Sequence, residues 1–215
     1  QLSDVLSFIG GHNRILSPEV WIEKSRTDSL GPGDLCLTFD DSLLCQYQIA
    51  LPVLDALGLK PFFFVYSAAY DGSLPSLELF RTFRHKYFET MDNFYQAVIL
   101  AIGDSTYSEK YHTAIADFDH DKYLTAFHFY TENDKIFRFV RDEVLGAENY
   151  EDLMNQMIAG VTSREALAEN LWMTNDNLQA LTNGGHVIGL HSYSHPTTMA
   201  SLPLQEQTTE YRRNA

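Results

Sequence analysis

Thiols and long apolar runs are both scarce in this chain. Cys36 and Cys45 are the only cysteines among 215 residues, too few for a disulfide framework and spaced like none of the common zinc-thiolate pairs. Cys36, inside Leu35-Cys36-Leu37, reads as a packing residue. No run of about 18 uncharged apolar residues exists, so no membrane-spanning helix is expected. The opening QLSDVLSFIGGHNR lacks the basic, apolar, then small-residue order of a secretory leader. A chain that opens on Gln1 reads as a processed product or a fragment, however, so its compartment stays open. Basic residues are few as well. Fifteen Lys and Arg against 29 Asp and Glu leave a net charge of -14, which opposes a phosphate backbone and argues against nucleic acid or an anionic membrane as partner. A neutral or cationic substrate fits better, and nothing in the sequence speaks to oligomeric state.

What is present is enough apolar material for a sizeable core, at 45% hydrophobic and 13% aromatic residues. The pattern alternates α and β at both ends of the chain around a helical middle. Residues 34–39, DLCLTF, read as one buried strand bounded by Gly31-Pro32-Gly33. Leu51 to Gly58 reads as a short helix with Pro52 in its first turn and Gly58 at its C-terminal cap. Lys60 to Tyr66 then has strand length and character, and strand, helix, strand implies a parallel pair. The apolar spacing from Phe80 to Ile102 predicts one long amphipathic helix over 76–102, its aromatic stripe a packing surface. Further helices are expected near 120–130, 132–145 and 150–159, with a capping box at Thr162-Ser163-Arg164-Glu165. Residues 75–170 therefore read as a helical insertion between strands two and three. A capped helix from Thr174 to Gly185 leads into the third strand, Val187 to Leu190.

Two stretches carry chemistry. In Leu37-Thr38-Phe39-Asp40-Asp41-Ser42, two acids stand side by side at the end of a strand. Adjacent carboxylates repel, and a buried charge needs a partner, so a bound cation is one reason for the pair; a helix cap is the bland alternative. In His191-Ser192-Tyr193-Ser194-His195, two histidines four apart can share one cation if the segment makes a turn. Both stretches follow strands, and parallel strands bring their C-terminal ends to one edge of a sheet. Asp117-Phe118-Asp119-His120-Asp121 imitates the opening of a calcium loop but puts Lys122 and His128 where glycine and a bidentate glutamate belong. It reads instead as a solvated, acidic helix start. His12, His85, His112 and His128 have no second ligand at diagnostic spacing.

The two stretches together resemble the polysaccharide deacetylase family, the NodB-homology carbohydrate esterases. Thr38-Phe39-Asp40-Asp41 matches its first motif and His191-Ser192-Tyr193-Ser194-His195 its second; flanking segments over 30–70 and 174–211 are similar too. The resemblance implies an α/β fold, part of a distorted (β/α) TIM-like barrel. It further implies a metal-dependent hydrolase of amide carbon-nitrogen bonds in N-acetylated amino sugars. Asp41, His191 and His195 would hold a divalent ion, usually zinc, with Asp40 as general base. Ser42 departs from the family's glycine. The family's later motifs, including the Leu-x-His that supplies a general acid, are not found, so about the first half of a barrel is expected. A non-catalytic carbohydrate-binding or interaction module is the alternative from another class. Within the same superfamily, a cyclic-imide or ureide hydrolase also fits the metal chemistry.

Overall fold

The computed structural model describes residues 1–196 and 199–215. In chain order the regular elements are α1 (Leu2–His12), β1 (Arg14–Ile15), α2 (Pro18–Arg26), β2 (Asp34–Leu35), β3 (Thr38–Asp40), α3 (Leu51–Ala56), β4 (Phe62–Val65), α4 (Ser76–Tyr87), α5 (Met91–Gly103), α6 (Ser108–Ala116), α7 (Glu132–Phe139), α8 (Gly146–Ala159), α9 (Arg164–Ala168), α10 (Asn175–Asn183), β5 (Val187–Leu190) and α11 (Leu204–Asn214). They group into two compact units, Gln1–Pro75 with Ala168–Ala215, and Ser76–Leu167.

The first unit contains two small parallel sheets, β1-β2 and β3-β4-β5. Thr38, Phe39 and Asp40 pair with Phe62, Phe63 and Phe64, and Phe62 to Val65 pair with Val187 to Leu190. The fold is thus mixed α/β with parallel strands, and among the described residues the strands close no barrel. Parallel neighbours need a crossover, and helices supply it. Two of these helices end in the same way. The Leu59 amide reaches back to the Leu54 carbonyl (2.9 Å) and Gly58 to Asp55 (3.1 Å), while His186 reaches Leu181 (3.0 Å) and Gly185 reaches Thr182 (3.0 Å). Gly58 and Gly185 hold φ of +65° and +83°, the left-handed turn that glycine takes without steric cost. Each stop launches a strand within a few residues: β4 after α3, β5 after α10.

The run 34–39 is not one strand. Asp34–Leu35 pairs with β1, whereas Thr38–Asp40 pairs with β4. The chain changes partners at Cys36-Leu37: the Leu16 amide donates to the Leu35 carbonyl (2.8 Å), and the Phe62 amide donates to the Leu37 carbonyl (2.9 Å). An apolar run shows strand character but does not reveal which strand each residue will meet. Buried Asp34 anchors the first sheet, taking Arg14 Nη2 on Oδ1 (2.6 Å) and Lys24 Nζ on Oδ2 (2.6 Å). The Gly31 amide on Oδ2, with Lys24 and Arg14 beside it, holds this carboxyl below the usual range. Cys36 is half-buried rather than fully packed away, and Cys45 is exposed; both are free thiols.

The core of this unit gathers Leu6, Ala50, Leu54, Phe63, Met173 and Leu181, with Phe39 and Ile188 packed against it. Phe63 stacks on Phe39 at 5.2 Å between ring centroids and meets His186 edge-on at 5.6 Å. Within β5, Gly189 lies opposite Phe64. A Cβ there would come within 2.5 Å of the Phe64 ring, so the missing side chain is what lets the ring lie over the strand. Gly189→Ala should therefore destabilise the protein by about 1–3 kcal/mol through overpacking. Urea unfolding with an unchanged midpoint would refute this.

The second unit is helical. The expected helix over 76–102 is broken into α4 and α5, because the Thr90 side chain accepts the Asn93 amide and caps a new start. Phe88, in the break, meets Phe83 and Phe94 edge-to-face. The aromatic stripe does pack: Phe94 and Tyr95 contact Phe137, and Phe80 contacts Tyr150. No helix covers 120–130, and the acidic run 117–121 does not start one. Asp119 instead accepts the Asp121 amide (3.0 Å) and pairs with Lys122 (2.8 Å) in a turn, the local hydrogen bonding with which Asp competes against helix. Helix resumes at α7, capped by the reciprocal Thr131 and Asp134 box, and passes through a π-helical stretch over Val140–Leu145 into α8. Ser163, not Thr162, caps α9, accepting the Ala166 amide (3.2 Å).

Candidate metal centre

Parallel pairing in the order β3-β4-β5 sets the ends of β3 and β5 on one edge. Asp40 is the last residue of β3 and Asp41 follows it; Leu190 is the last of β5 and His191 follows it. The His191 amide continues the ladder to the Val65 carbonyl at 2.8 Å. Two sequence stretches 150 residues apart thus leave the same end of the sheet on either side of β4.

After β3 the chain reverses through two consecutive left-handed residues, Asp41 at φ +73° and Ser42 at φ +51°. Such a conformation costs a non-glycine residue about 1–2 kcal/mol, so its surroundings must hold it. They do so through residues 171–173: the Met173 amide donates to the Ser42 carbonyl (2.8 Å) and the Leu44 amide to the Leu171 carbonyl (2.8 Å). Ser42 therefore occupies a glycine-like conformation. Ser42 is fully buried. Ser42→Gly should keep stability within about 1 kcal/mol of the parent, relief of strain offsetting the lost side chain and gained chain entropy. Ser42→Val, β-branched at the same φ, should cost more than about 2 kcal/mol. Denaturant midpoints that rank Val above Gly would refute the assignment of strain.

After β5 the chain makes the turn that the histidine spacing requires. The buried Ser192 side chain accepts the His195 amide at 3.1 Å, the Ala68 amide donates to the Tyr193 carbonyl at 3.0 Å, and His195 sits at φ +57°. The Tyr66 ring lies 5.7 Å from the His195 ring, and the Tyr66 hydroxyl accepts from Trp172 Nε1 at 2.8 Å. One side of the His195 ring is thereby walled by a buried aromatic.

The result is a cluster. His195 Nε2 lies 3.2 Å and His191 Nε2 3.9 Å from the same oxygen, Asp41 Oδ1. The imidazoles stand nearly perpendicular, at 87°, with centroids 4.6 Å apart. One ligand atom from each of the three residues lies within 4.8 Å of the others, and Asp41 is buried while both histidines are half-buried. Ligands each about 2.0–2.1 Å from a tetrahedral ion stand roughly 3.3 Å apart. Asp41 Oδ1 already lies at about that distance from His195 Nε2, and the other separations, up to 4.8 Å, would have to close toward it around an ion. One carboxylate and two neutral imidazoles form a donor set suited to zinc and similar divalent ions. Asp41, His191 and His195 are thus a group that could hold a metal ion.

Asp40 is exposed, one residue from the cluster, and its carbonyl accepts from Gln46 Nε2. His12, His85, His112 and His128 join no metal-binding group among the described residues. Tyr66, Trp172 and the 171–173 segment support the centre without any sequence signal, because their contacts span more than a hundred residues. The chain matches no family model, and no curated protein or solved structure is significantly similar to it.

Proposed function

We propose that this chain carries the metal-binding portion of a metal-dependent amidohydrolase that removes acetyl groups from N-acetylated amino sugars, built on part of a TIM-like barrel. The observation that carries the reading is the meeting of Asp41, His191 and His195, each from a motif that resembles the polysaccharide deacetylases, at one strand edge. Three protein ligands leave coordination positions open, and a bound divalent ion, with zinc the first choice, would act there as a Lewis acid toward the amide carbonyl and water. The protein's own part is to place groups. Asp41 and the two imidazoles would hold the ion through fixed backbone turns. Asp40, exposed beside them, is free to accept a proton from water as general base. The net charge of -14 agrees with a neutral sugar rather than a polyanion.

The experiment is metal removal and return. Acetate release from an N-acetylglucosamine oligomer should vanish after chelation and come back with zinc. A protein that binds one ion but releases no acetate, while hydrolysing a cyclic imide or ureide, would move the reading to that branch of chemistry. Ion binding with no hydrolysis of either substrate would favour a binding module.

A further inference from the structure

We propose that Glu210, on α11, is the positioning residue that sets the His191–His195 turn and with it the affinity of the metal centre, an inference that rests on the metal-binding reading above. Ser194 lies between the two histidines, next to the left-handed His195. Its amide donates to Glu210 Oε2 at 2.8 Å and its hydroxyl to Glu210 Oε1 at 2.7 Å. Both carboxylate oxygens are used, one on the backbone of the turn itself, and charge-assisted bonds of this kind are the stronger ones.

The helix that carries Glu210 is referenced to the same strand edge as the ligands. Buried Asn214 accepts the Ser67 amide on Oδ1 (2.8 Å) and donates Nδ2 to the Val65 carbonyl (3.2 Å), the carbonyl that also receives the His191 amide (2.8 Å). One residue earlier, the Arg213 guanidinium lies over the Tyr193 ring at 3.4 Å and 3.6 Å from Asp71 Oδ2, which accepts the Tyr193 hydroxyl. The start of the histidine turn and the end of α11 thus share one acceptor, and Glu210 fixes the middle of the turn from that frame. Groups that orient metal ligands typically change metal affinity by about ten- to a hundredfold when removed. The Ser194 to Glu210 bonds are exposed, so they should add little to global stability and much to the geometry of one turn.

The test measures zinc affinity by competition with a chromophoric chelator, and the visible spectrum of the cobalt-loaded protein, in the full chain. Glu210→Ala should bind zinc about ten- to a hundredfold more weakly than the parent and alter the cobalt spectrum, with metal-free unfolding still cooperative. Glu210→Gln, which keeps one acceptor, should lie between. Glu206→Ala, on the same helix, should match the parent. Adding Ser194→Ala to Glu210→Ala should weaken binding little further, since the pair acts as a unit. Parent-like zinc affinity in Glu210→Ala overturns the inference and leaves the metal centre standing. Should that variant fail to fold, parent-like affinity in Glu210→Gln does the same. A parent protein that binds no ion overturns the metal-centre reading and this inference together.

Discussion

Replacing His191 with Ala should abolish stoichiometric binding of a divalent ion, weakening it by well over the roughly hundredfold that loss of a mere supporting group costs. The reason is the small number of ligands. With Asp41, His191 and His195 as the three protein donors, removal of one leaves a carboxylate and a single imidazole, a pair that many protein surfaces offer without holding metal. His195→Ala should behave alike, with the added loss of the ring 3.2 Å from Asp41 Oδ1. The fold should survive in His191→Ala, because the His191 backbone amide, not its ring, continues the sheet to Val65. His85→Ala, an exposed position in the other unit, is the control and should leave binding intact. Elemental analysis of protein passed through gel filtration is the measurement. Equal metal content in His191→Ala and the parent would sink the assignment.

If Asp40 is the general base of the proposed hydrolysis, Asp40→Asn should keep the metal and lose about 10²–10⁴-fold in kcat, the usual contribution of such a base. An amide is nearly isosteric with a carboxylate but cannot take the proton of an attacking water. Metal retention follows from the geometry: Asp40 ends β3 with an exposed side chain, and it is the next residue, turned at φ +73°, whose oxygen faces both imidazoles. The Asp40 carbonyl, which accepts from Gln46, is untouched by the substitution. The variant's metal content and turnover are read on the same sample. Metal lost along with turnover would place Asp40 among the ligands, and turnover kept would remove it from the mechanism.

Much of the frame around this centre is legible in the sequence because its causes are local. Pro52 and Gly58 bracket α3, Thr174 and Asn177 form the box that opens α10, and Gly185 turns the chain into β5. Each depends on one residue's backbone preference or on a hydrogen bond three residues long. The aromatic run 62–65 and Val187–Leu190 are strands in the structure as in the sequence, and their parallel pairing follows from the helices between them. The breaks were also local but weak. α4 stops at Tyr87 and Thr90 caps a new helix inside a continuous apolar stripe, so a local cap overrides the periodicity.

Other features have no local cause. The sequence shows DLCLTF as strand-like, but only tertiary pairing splits it between β1 and β4, since strand character says nothing about partners. Spacing brings two histidines within reach of one ion only if the segment turns. That turn, with His195 at φ +57°, is held from Ala68, Val65 and Glu210, residues distant in the chain. Asp41 and Ser42 likewise reverse against their own backbone preference because 171–173 lies beside them. The sequence by itself determined which side chains could bind an ion. Only the tertiary structure decided that they meet, because an unfavourable backbone conformation persists where long-range hydrogen bonds outweigh its local cost.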